Sequence, residues 1–224
     1  MKVKKEQLRL YGITDRRMLL EHKMSETQGQ ISEEARYQIL IREALMGGVT
    51  MLQLREKDLP QETYVKRAGQ VLEITKQYHI PLIINDDPAV ALLSGADGVH
   101  VGQEDETIRR AREILGENRI IGATAHNLEE ALEAWKQGAD YLGVGAAFGS
   151  TTKKDARPID RETYRSICES VPIPVVAIGG ITADNLGELS GRGLSGIAVI
   201  GAIFGVENIK EGARSLRAKV EKLL

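Results

Sequence analysis

Amide and cationic side chains alternate at the end of a short apolar run. Gln53, Arg55 and Lys57 stand two positions apart, and alternate residues of a β-strand point to the same face. Two cations on an inward face are costly unless an anion pairs with them. The pattern therefore predicts an anion-binding site, with a solvated charge cluster as the alternative. For Glu56 and Asp58 we expect solvated loop positions.

Carboxylates follow the next two apolar runs. Asn85, Asp86 and Asp87 end one run, and Asp105 follows the other. Mg²⁺ commonly takes one or two carboxylates together with phosphate oxygens, so Asp86 and Asp105 are candidate ligands of a magnesium ion. Asp87 precedes a proline and is predicted to cap the following helix. Helix capping is also the alternative for Asp86.

Two later segments are suited to phosphate groups. Three hydroxyl residues, 150–152, precede Lys153 and Lys154, and this loop offers both donors and positive charge. A polar solvated loop is the alternative. Gly179 and Gly180 end the seventh apolar run, where glycine lets backbone N–H groups approach a phosphate closely. Tight-turn residues without a ligand are the alternative for these glycines.

The elements that must position these residues are visible as eight apolar runs of strand length, rich in Val, Ile and Leu. They cover residues 8–14, 50–55, 81–86, 97–102, 119–125, 140–145, 174–180 and 195–201. Helical patterns lie between them, and Asn127 is the predicted N-cap of one. Strand and helix alternate at about 28 residues per unit. This predicts an α/β fold, a (β/α)₈ TIM barrel, with residues 1–224 as a single domain.

An open doubly wound sheet is the alternative architecture. It would place a glycine-rich phosphate loop after its first strand, whereas residues 14–17 read Thr-Asp-Arg-Arg. In a barrel the strand ends meet at one mouth, where the chemistry occurs. Two anion sites on one mouth predict an enzyme in which a pyrophosphorylated donor meets a phosphorylated acceptor. Arg55 and Lys57, together with Mg²⁺ and with Lys153 or Lys154 between the two sites, would stabilise the departing pyrophosphate.

The composition excludes several classes of protein. The 224 residues carry 30 Lys and Arg against 32 Asp and Glu, and the net charge of -2 lacks the usual signature of a nucleic-acid binder. The one cysteine, Cys168, cannot form an internal disulfide. No apolar stretch approaches the roughly 20 residues of a membrane span, and no signal peptide is visible. We expect a cytoplasmic enzyme of small molecules, and the outer helices are compatible with a homo-oligomer.

Taken together, these residues resemble the thiamine phosphate synthase family over nearly the whole chain. The resemblance begins at residues 10–16, and its most specific parts are residues 53–57, 85–86, 98–105 and 152–155. The resemblance implies an enzyme that joins a hydroxymethylpyrimidine pyrophosphate to a hydroxyethylthiazole phosphate and releases pyrophosphate. It also implies that bond breaking precedes attack, so that the thiazole nitrogen captures a pyrimidine methyl cation.

The resemblance further implies a role for each site residue. The residues that it places against the pyrimidine substrate are Gln53, Arg55, Lys57, Asn85, Thr124 and Lys153. The residues that it assigns to Mg²⁺ are Asp86 and Asp105. The residues that it assigns to the thiazole phosphate are Ser150, Thr152, Gly180, Ile200 and Gly201.

The chain departs from the family pattern in three places. Ala146 and Gly149 stand where the family usually has prolines, Thr124 stands in place of a serine, and Gly201 replaces a common serine. Thr124 keeps the hydroxyl, and Gly201 keeps the backbone donor.

A sister group, the thiazole tautomerases, is the closest alternative. These proteins use a histidine in the segment that matches 123–126, where this chain has His126. Tautomerases handle no pyrophosphate and generally lack the metal carboxylates and the cations. The synthase is favoured by the presence here of Arg55, Lys57, Asp86 and Asp105. For His126 we expect a partly buried side chain that fixes a loop. A non-catalytic sensor of phosphorylated ligands is the third hypothesis.

Overall fold

Eight parallel strands close into a barrel. The computed structural model describes residues 3–22, 31–102, 107–149 and 158–224. The strands are β1 (Leu10–Ile13), β2 (Met51–Leu54), β3 (Leu82–Asn85), β4 (Gly98–Val101), β5 (Ile120–Ala125), β6 (Tyr141–Gly145), β7 (Val175–Ile178) and β8 (Gly196–Val199). Each strand pairs with its neighbours in chain order, and β8 returns to β1 with Leu10 opposite Ile197. The predicted TIM barrel is confirmed, and the open-sheet alternative is wrong.

Helices connect the strands around the outside of the barrel. They are α1 (Arg16–Glu21), α2 (Glu33–Met46), α3 (Gln61–Gln77), α4 (Pro88–Ser94), α5 (Ile108–Leu115), α6 (Leu128–Lys136), α7 (Arg161–Ser170), α8 (Gly201–Phe204) and α9 (Ile209–Leu223), with short 3₁₀ helices at Lys5–Leu8 and Leu186–Leu189. The side chain of Asn127 accepts a hydrogen bond from the N–H of Glu130 at 2.9 Å. The predicted N-cap of α6 is therefore confirmed.

The apolar core has two layers. The layer inside the barrel is formed by alternate strand residues and includes Tyr11, Ile13, Met51, Ile83, Ile120, Tyr141, Val176 and Ala198. The other layer lies between the barrel and the helices and contains the intervening strand residues, such as Leu52, Leu54 and Ile84. Because both faces of each strand are buried, the strands appear in the sequence as continuous apolar runs rather than alternating ones.

Two Gly-Ala-Asp sequences make the same hydrogen bond at the amino-terminal ends of the strands. The carboxylate of Asp97 accepts a hydrogen bond from the N–H of Leu82 at 2.8 Å, and that of Asp140 accepts one from the N–H of Ile121 at 2.8 Å. In each case an aspartate before one strand ties down the backbone of the neighbouring strand. These carboxylates stabilise the end of the barrel that lies opposite the mouth.

Candidate active site

The carboxyl ends of the strands bring several predicted site residues to one mouth. Arg55, Asn85 and Thr124 are half-buried at the ends of β2, β3 and β5, and Ile200 is half-buried after β8. Gln53 lies one layer deeper, where only 3% of it is exposed. The period-two alternation of β2 thus places Gln53 inside the barrel, as the sequence predicted, with Arg55 above it.

Four of the predicted site residues fall on segments outside the described ranges. They are Asp105, Ser150, Thr152 and Lys153. Their assignments stay predictions.

Arg55 is positioned through both its backbone and its side chain. Its N–H donates to Thr14 Oγ1 at 2.9 Å, and a guanidinium nitrogen lies 3.8 Å from a carboxylate oxygen of Asp15. That distance is too long for a hydrogen bond. Lys57 is exposed two positions further along the chain. Both cations therefore stand beside the mouth with donors that a further anion can use.

Glu56 is buried, so the prediction of a solvated loop position is wrong for this residue. Its side chain is 1% exposed, and its Oε1 accepts hydrogen bonds from Tyr37 Oη and Arg67 Nη1, each at 3.0 Å. Burial, and then the charge of Glu56, raise the pKa of Tyr37 well above its ordinary value, which keeps this phenol protonated as a donor. Asp58 is exposed, as predicted.

The Glu56 contacts explain how the turn after β2 is held. Tyr37 belongs to α2 and Arg67 to α3, and the Arg67 guanidinium lies 5.1 Å from the centre of the Tyr37 ring. Thr14 binds the Arg55 N–H on the barrel side of the same turn. The backbone is thus fixed between two elements, which directs the side chain of Arg55 toward the mouth.

Asp86 has a left-handed backbone with a φ of 65°. Non-glycine residues rarely take this conformation, although aspartate tolerates it better than most, and such residues cluster at functional sites. Its N–H donates to the carbonyl of His100 at 2.9 Å, and its carboxylate accepts from the Asn85 amide. Asp87 caps α4 by accepting from the N–H of Val90 at 2.9 Å, so its predicted capping role is confirmed.

A continuous hydrogen-bonded chain crosses the inside of the barrel. Gln53 Nε2 donates to Tyr11 Oη at 2.7 Å, and Tyr11 Oη lies 2.8 Å from Tyr141 Oη. Tyr141 Oη lies 3.0 Å from His100 Nδ1, and His100 Nε2 lies 3.0 Å from Thr124 Oγ1. The sequence analysis missed the two tyrosines, because a tyrosine in an apolar strand is indistinguishable from an ordinary core residue.

Buried tyrosines make the stability of the fold sensitive to alkaline pH. Burial is the largest cause that raises the pKa of Tyr11, Tyr37, Tyr64, Tyr141 and Tyr164. Above about pH 10 the unfolded chain loses phenolic protons that the folded state keeps, so stability that is complete below pH 10 is lost as the pH rises. We expect the free energy of unfolding to fall between pH 10 and 12 by up to about 1.4 kcal/mol per pH unit for each tyrosine.

Urea unfolding at pH 9 and pH 11 measures this loss, and Tyr164→Phe is the comparison variant. Its fall in stability between the two pH values should be smaller than that of the wild-type chain, because one buried phenol is missing. An equal fall in the two proteins would contradict the assignment.

Two backbone donors lie on the opposite side of the mouth, that of Gly180, which is exposed, and that of Gly201, which is half-buried. Gly179 and Gly180 have φ values of 100° and 65°, which favour glycine, and the Gly180 carbonyl accepts a hydrogen bond from the Asn185 amide at 2.8 Å. Within the described ranges no hydrogen bond engages the N–H of Gly180 or Gly201. These two N–H groups can therefore receive an anion.

His126 is more exposed than predicted. Its side chain is 43% exposed, and both its N–H and its Nδ1 lie 2.8 Å from Glu130 Oε2. The expectation of a partly buried ring is wrong, because the imidazole contacts Glu130 on the surface of the first turn of α6. The pair does tie the loop after β5 to the start of α6, as expected for a loop-fixing residue.

The described residues contain no group of three or more His, Cys, Asp or Glu side chains that could enclose a metal ion. One carboxylate combined with phosphate oxygens is nevertheless a donor set that suits Mg²⁺, and Asp86 supplies such a carboxylate at the end of β3. In the part of the chain that the structure covers, no helix is long and apolar enough to cross a membrane.

Known proteins match this chain over almost all of its length. The family described as thiamine monophosphate synthase matches residues 26–203. The thiamine-phosphate synthase of Clostridium acetobutylicum is 44% identical over 214 residues, which cover 96% of this chain and 95% of that protein. The thiamine-phosphate synthase of Pyrococcus furiosus is 44% identical over 220 residues and 98% of each chain.

The solved structure of thiamine phosphate pyrophosphorylase from Pyrococcus furiosus has the same architecture. It superimposes with a TM-score of 0.84 at 43% sequence identity, and the match covers 98% of each chain. The sequence and structural matches agree with the cationic, phosphate-compatible mouth described above. The chain belongs to the thiamine monophosphate synthase family and is a transferase of thiamine biosynthesis.

Proposed function

We propose that the protein joins a hydroxymethylpyrimidine pyrophosphate to a hydroxyethylthiazole phosphate and releases pyrophosphate in a Mg²⁺-dependent reaction. The observation that carries this proposal is the placement of Arg55. Its backbone is tied to Thr14, and its guanidinium stands at the mouth with Asp15 no closer than 3.8 Å. A cation that is fixed in this way is prepared for an anionic substrate.

The cations act on the leaving group. Arg55 and Lys57 bind the pyrophosphate, and Lys153, in the segment of the sequence after β6, assists them. When the carbon–oxygen bond of the pyrimidine substrate breaks, its electron pair leaves with pyrophosphate, and the cations stabilise that charge. The thiazole nitrogen then supplies the electron pair for the new carbon–nitrogen bond. No protein nucleophile is needed for this sequence of steps.

Asp86 is the proposed ligand of Mg²⁺, with Asp105 as the second carboxylate. The ion, when bound, supplies positive charge to the pyrophosphate oxygens. The left-handed backbone of Asp86 supports the assignment, since strained residues of this kind are retained where a side chain must be aimed. Asn85, whose amide donates to the Asp86 carboxylate, orients it.

The two organic groups are held at separate places. The pyrimidine ring lies against Gln53, Asn85 and Thr124, which belong to β2, β3 and β5. The thiazole phosphate takes the side of β7 and β8, where the N–H groups of Gly180 and Gly201 support the proposal. The residues proposed to hold this phosphate are Ser150, Thr152, Gly180, Ile200 and Gly201.

Release of pyrophosphate by the purified protein tests the proposal. We expect release only when both substrates and Mg²⁺ are present, and its abolition by a chelator should be reversed by excess Mg²⁺. Release that requires only one substrate would overturn the proposed reaction. Release that persists in the chelator would overturn its metal dependence.

His126→Ala separates this activity from that of a tautomerase. Because His126 contacts Glu130 on the helix surface, we expect the variant to keep the turnover number of pyrophosphate release within about twofold and to lose about 0.5 kcal/mol of stability at most. The same two proteins are assayed for metal-independent aromatisation of a thiazole phosphate tautomer. If that activity is present in the wild type and absent from the variant, the tautomerase is the better assignment.

A further inference from the structure

The hydrogen-bonded chain inside the barrel connects two residues that the proposed function places against the pyrimidine. Gln53 stands at one end on β2, and Thr124 stands at the other on β5. Tyr11, Tyr141 and His100 lie between them in that order, and each contacts the next at 2.7–3.0 Å. These three side chains are buried, and a buried polar chain of this kind is stable only if every proton has an acceptor.

The direction in which these hydrogen bonds donate follows from counting their protons. The Gln53 amide nitrogen donates to Tyr11, so the Tyr11 proton must go to the only other partner that the described residues give its hydroxyl, the oxygen of Tyr141. The proton of Tyr141 must in turn go to His100 Nδ1. A ring nitrogen that accepts carries no proton, so the neutral imidazole of His100 has its proton on Nε2 and donates to Thr124.

Two glycines make room for this chain inside the barrel. A methyl group on Gly122 would collide with the ring and hydroxyl of Tyr141, and one on Gly143 would come within 3.2 Å of His100 Cε1. Glycine in a strand interior weakens the strand and commonly marks a place where another group approaches closely. The absence of a side chain at Gly122 and Gly143 therefore leaves the space that Tyr141 and His100 occupy.

We propose that Tyr11, Tyr141 and His100 are positioning residues that set the hydrogen-bonding roles of Gln53 and Thr124. Because Thr124 accepts from His100, its own proton is directed to a different acceptor. Because one proton of the Gln53 amide nitrogen goes to Tyr11, the amide is held in one orientation, which fixes where its carbonyl oxygen and its second N–H lie. The three buried residues thus determine which atoms of Gln53 and Thr124 donate and which accept. The consequence for the pyrimidine rests on the proposed function.

The tautomer of His100 tests the direction of donation along the hydrogen-bonded residues, and it can be measured without any substrate. Nitrogen-15 NMR of the full chain, with His100 identified by comparison with His100→Gln, should show Nε2 protonated and Nδ1 unprotonated in the wild-type protein. In Tyr141→Phe, which removes the donor to Nδ1, the two tautomers should both be populated. A wild-type His100 that is protonated on Nδ1 would overturn the proposal, even if the variant does not fold.

Steady-state kinetics test the functional consequence. Tyr141→Phe should raise the KM for the pyrimidine substrate about tenfold and leave the KM for the thiazole phosphate within about twofold. Tyr164→Phe is the matched control, because its hydroxyl is also buried but donates to the carbonyl of Val144. Equal changes in the two variants would overturn the positioning role. A wild-type protein without turnover would instead refute the proposed function, while the NMR result would still decide the direction of the chain.

Discussion

Replacing Asp86 with asparagine is expected to lower the turnover number about 100-fold or more. Asparagine tolerates the left-handed backbone that this position requires, so the substitution removes the charge and leaves the local conformation in place. The loss follows because a neutral amide is a poor ligand of Mg²⁺ and leaves less positive charge near the departing pyrophosphate. Initial rates of pyrophosphate release over a range of Mg²⁺ concentrations measure the effect.

Asp87→Asn is the matched control for Asp86→Asn. It removes the same charge from the next position, and asparagine is as good an N-cap as aspartate for α4. We expect its turnover number to stay within about threefold of the wild-type value. Equal losses in the two variants would show that only the total charge matters. A fully active Asp86→Asn protein at limiting Mg²⁺ would contradict the proposed ligand.

Glu56→Gln is expected to lower the free energy of unfolding by about 3–5 kcal/mol. The carboxylate is buried and is the closest anionic partner of Arg67, at 3.0 Å. Removing its charge leaves a guanidinium inside the protein with only the more distant carboxylates of Glu33 and Glu34, at 3.6 and 3.8 Å. Urea unfolding followed by circular dichroism measures the change.

Two further variants show whether lost charge or lost packing causes the fall in stability of Glu56→Gln. Asp58→Asn removes an exposed carboxylate from the same turn, and we expect a change of no more than about 0.5 kcal/mol. Combining Glu56→Gln with Arg67→Met removes the unpaired cation as well, so part of the lost stability should return. A double variant no more stable than Glu56→Gln would show that packing around the pair, and not its charge, accounts for the loss.

The barrel could be predicted because its strands are buried on both faces. Each strand lies within an apolar run that the sequence displays directly, and the Asp97 and Asp140 turns repeat the same residues for the same contact. Alternation within β2 then sufficed to place Gln53 inside the barrel with Arg55 after it. These inferences depend only on residues that lie close together in the chain, and a single sequence shows such residues directly.

The parts that could not be predicted depend on residues far apart in the chain. Glu56 looked like a solvated acid, because its partners Tyr37 and Arg67 lie on two different helices. Tyr11 and Tyr141 looked like ordinary core residues, because only closure of the barrel brings their hydroxyls within 2.8 Å of each other. In both cases a polar group is satisfied by a partner that the local pattern does not identify.

The pairing of Leu10 with Ile197 has a consequence for how the protein is made. β1 leaves the ribosome first among the strands, yet one of its edges has no partner until β8 has been synthesised. Such a high contact order slows folding, since the loop entropy must be lost before the closing contacts form. A nascent chain that stops before β8 exposes the backbone of β1 as an open edge, and open edges promote aggregation.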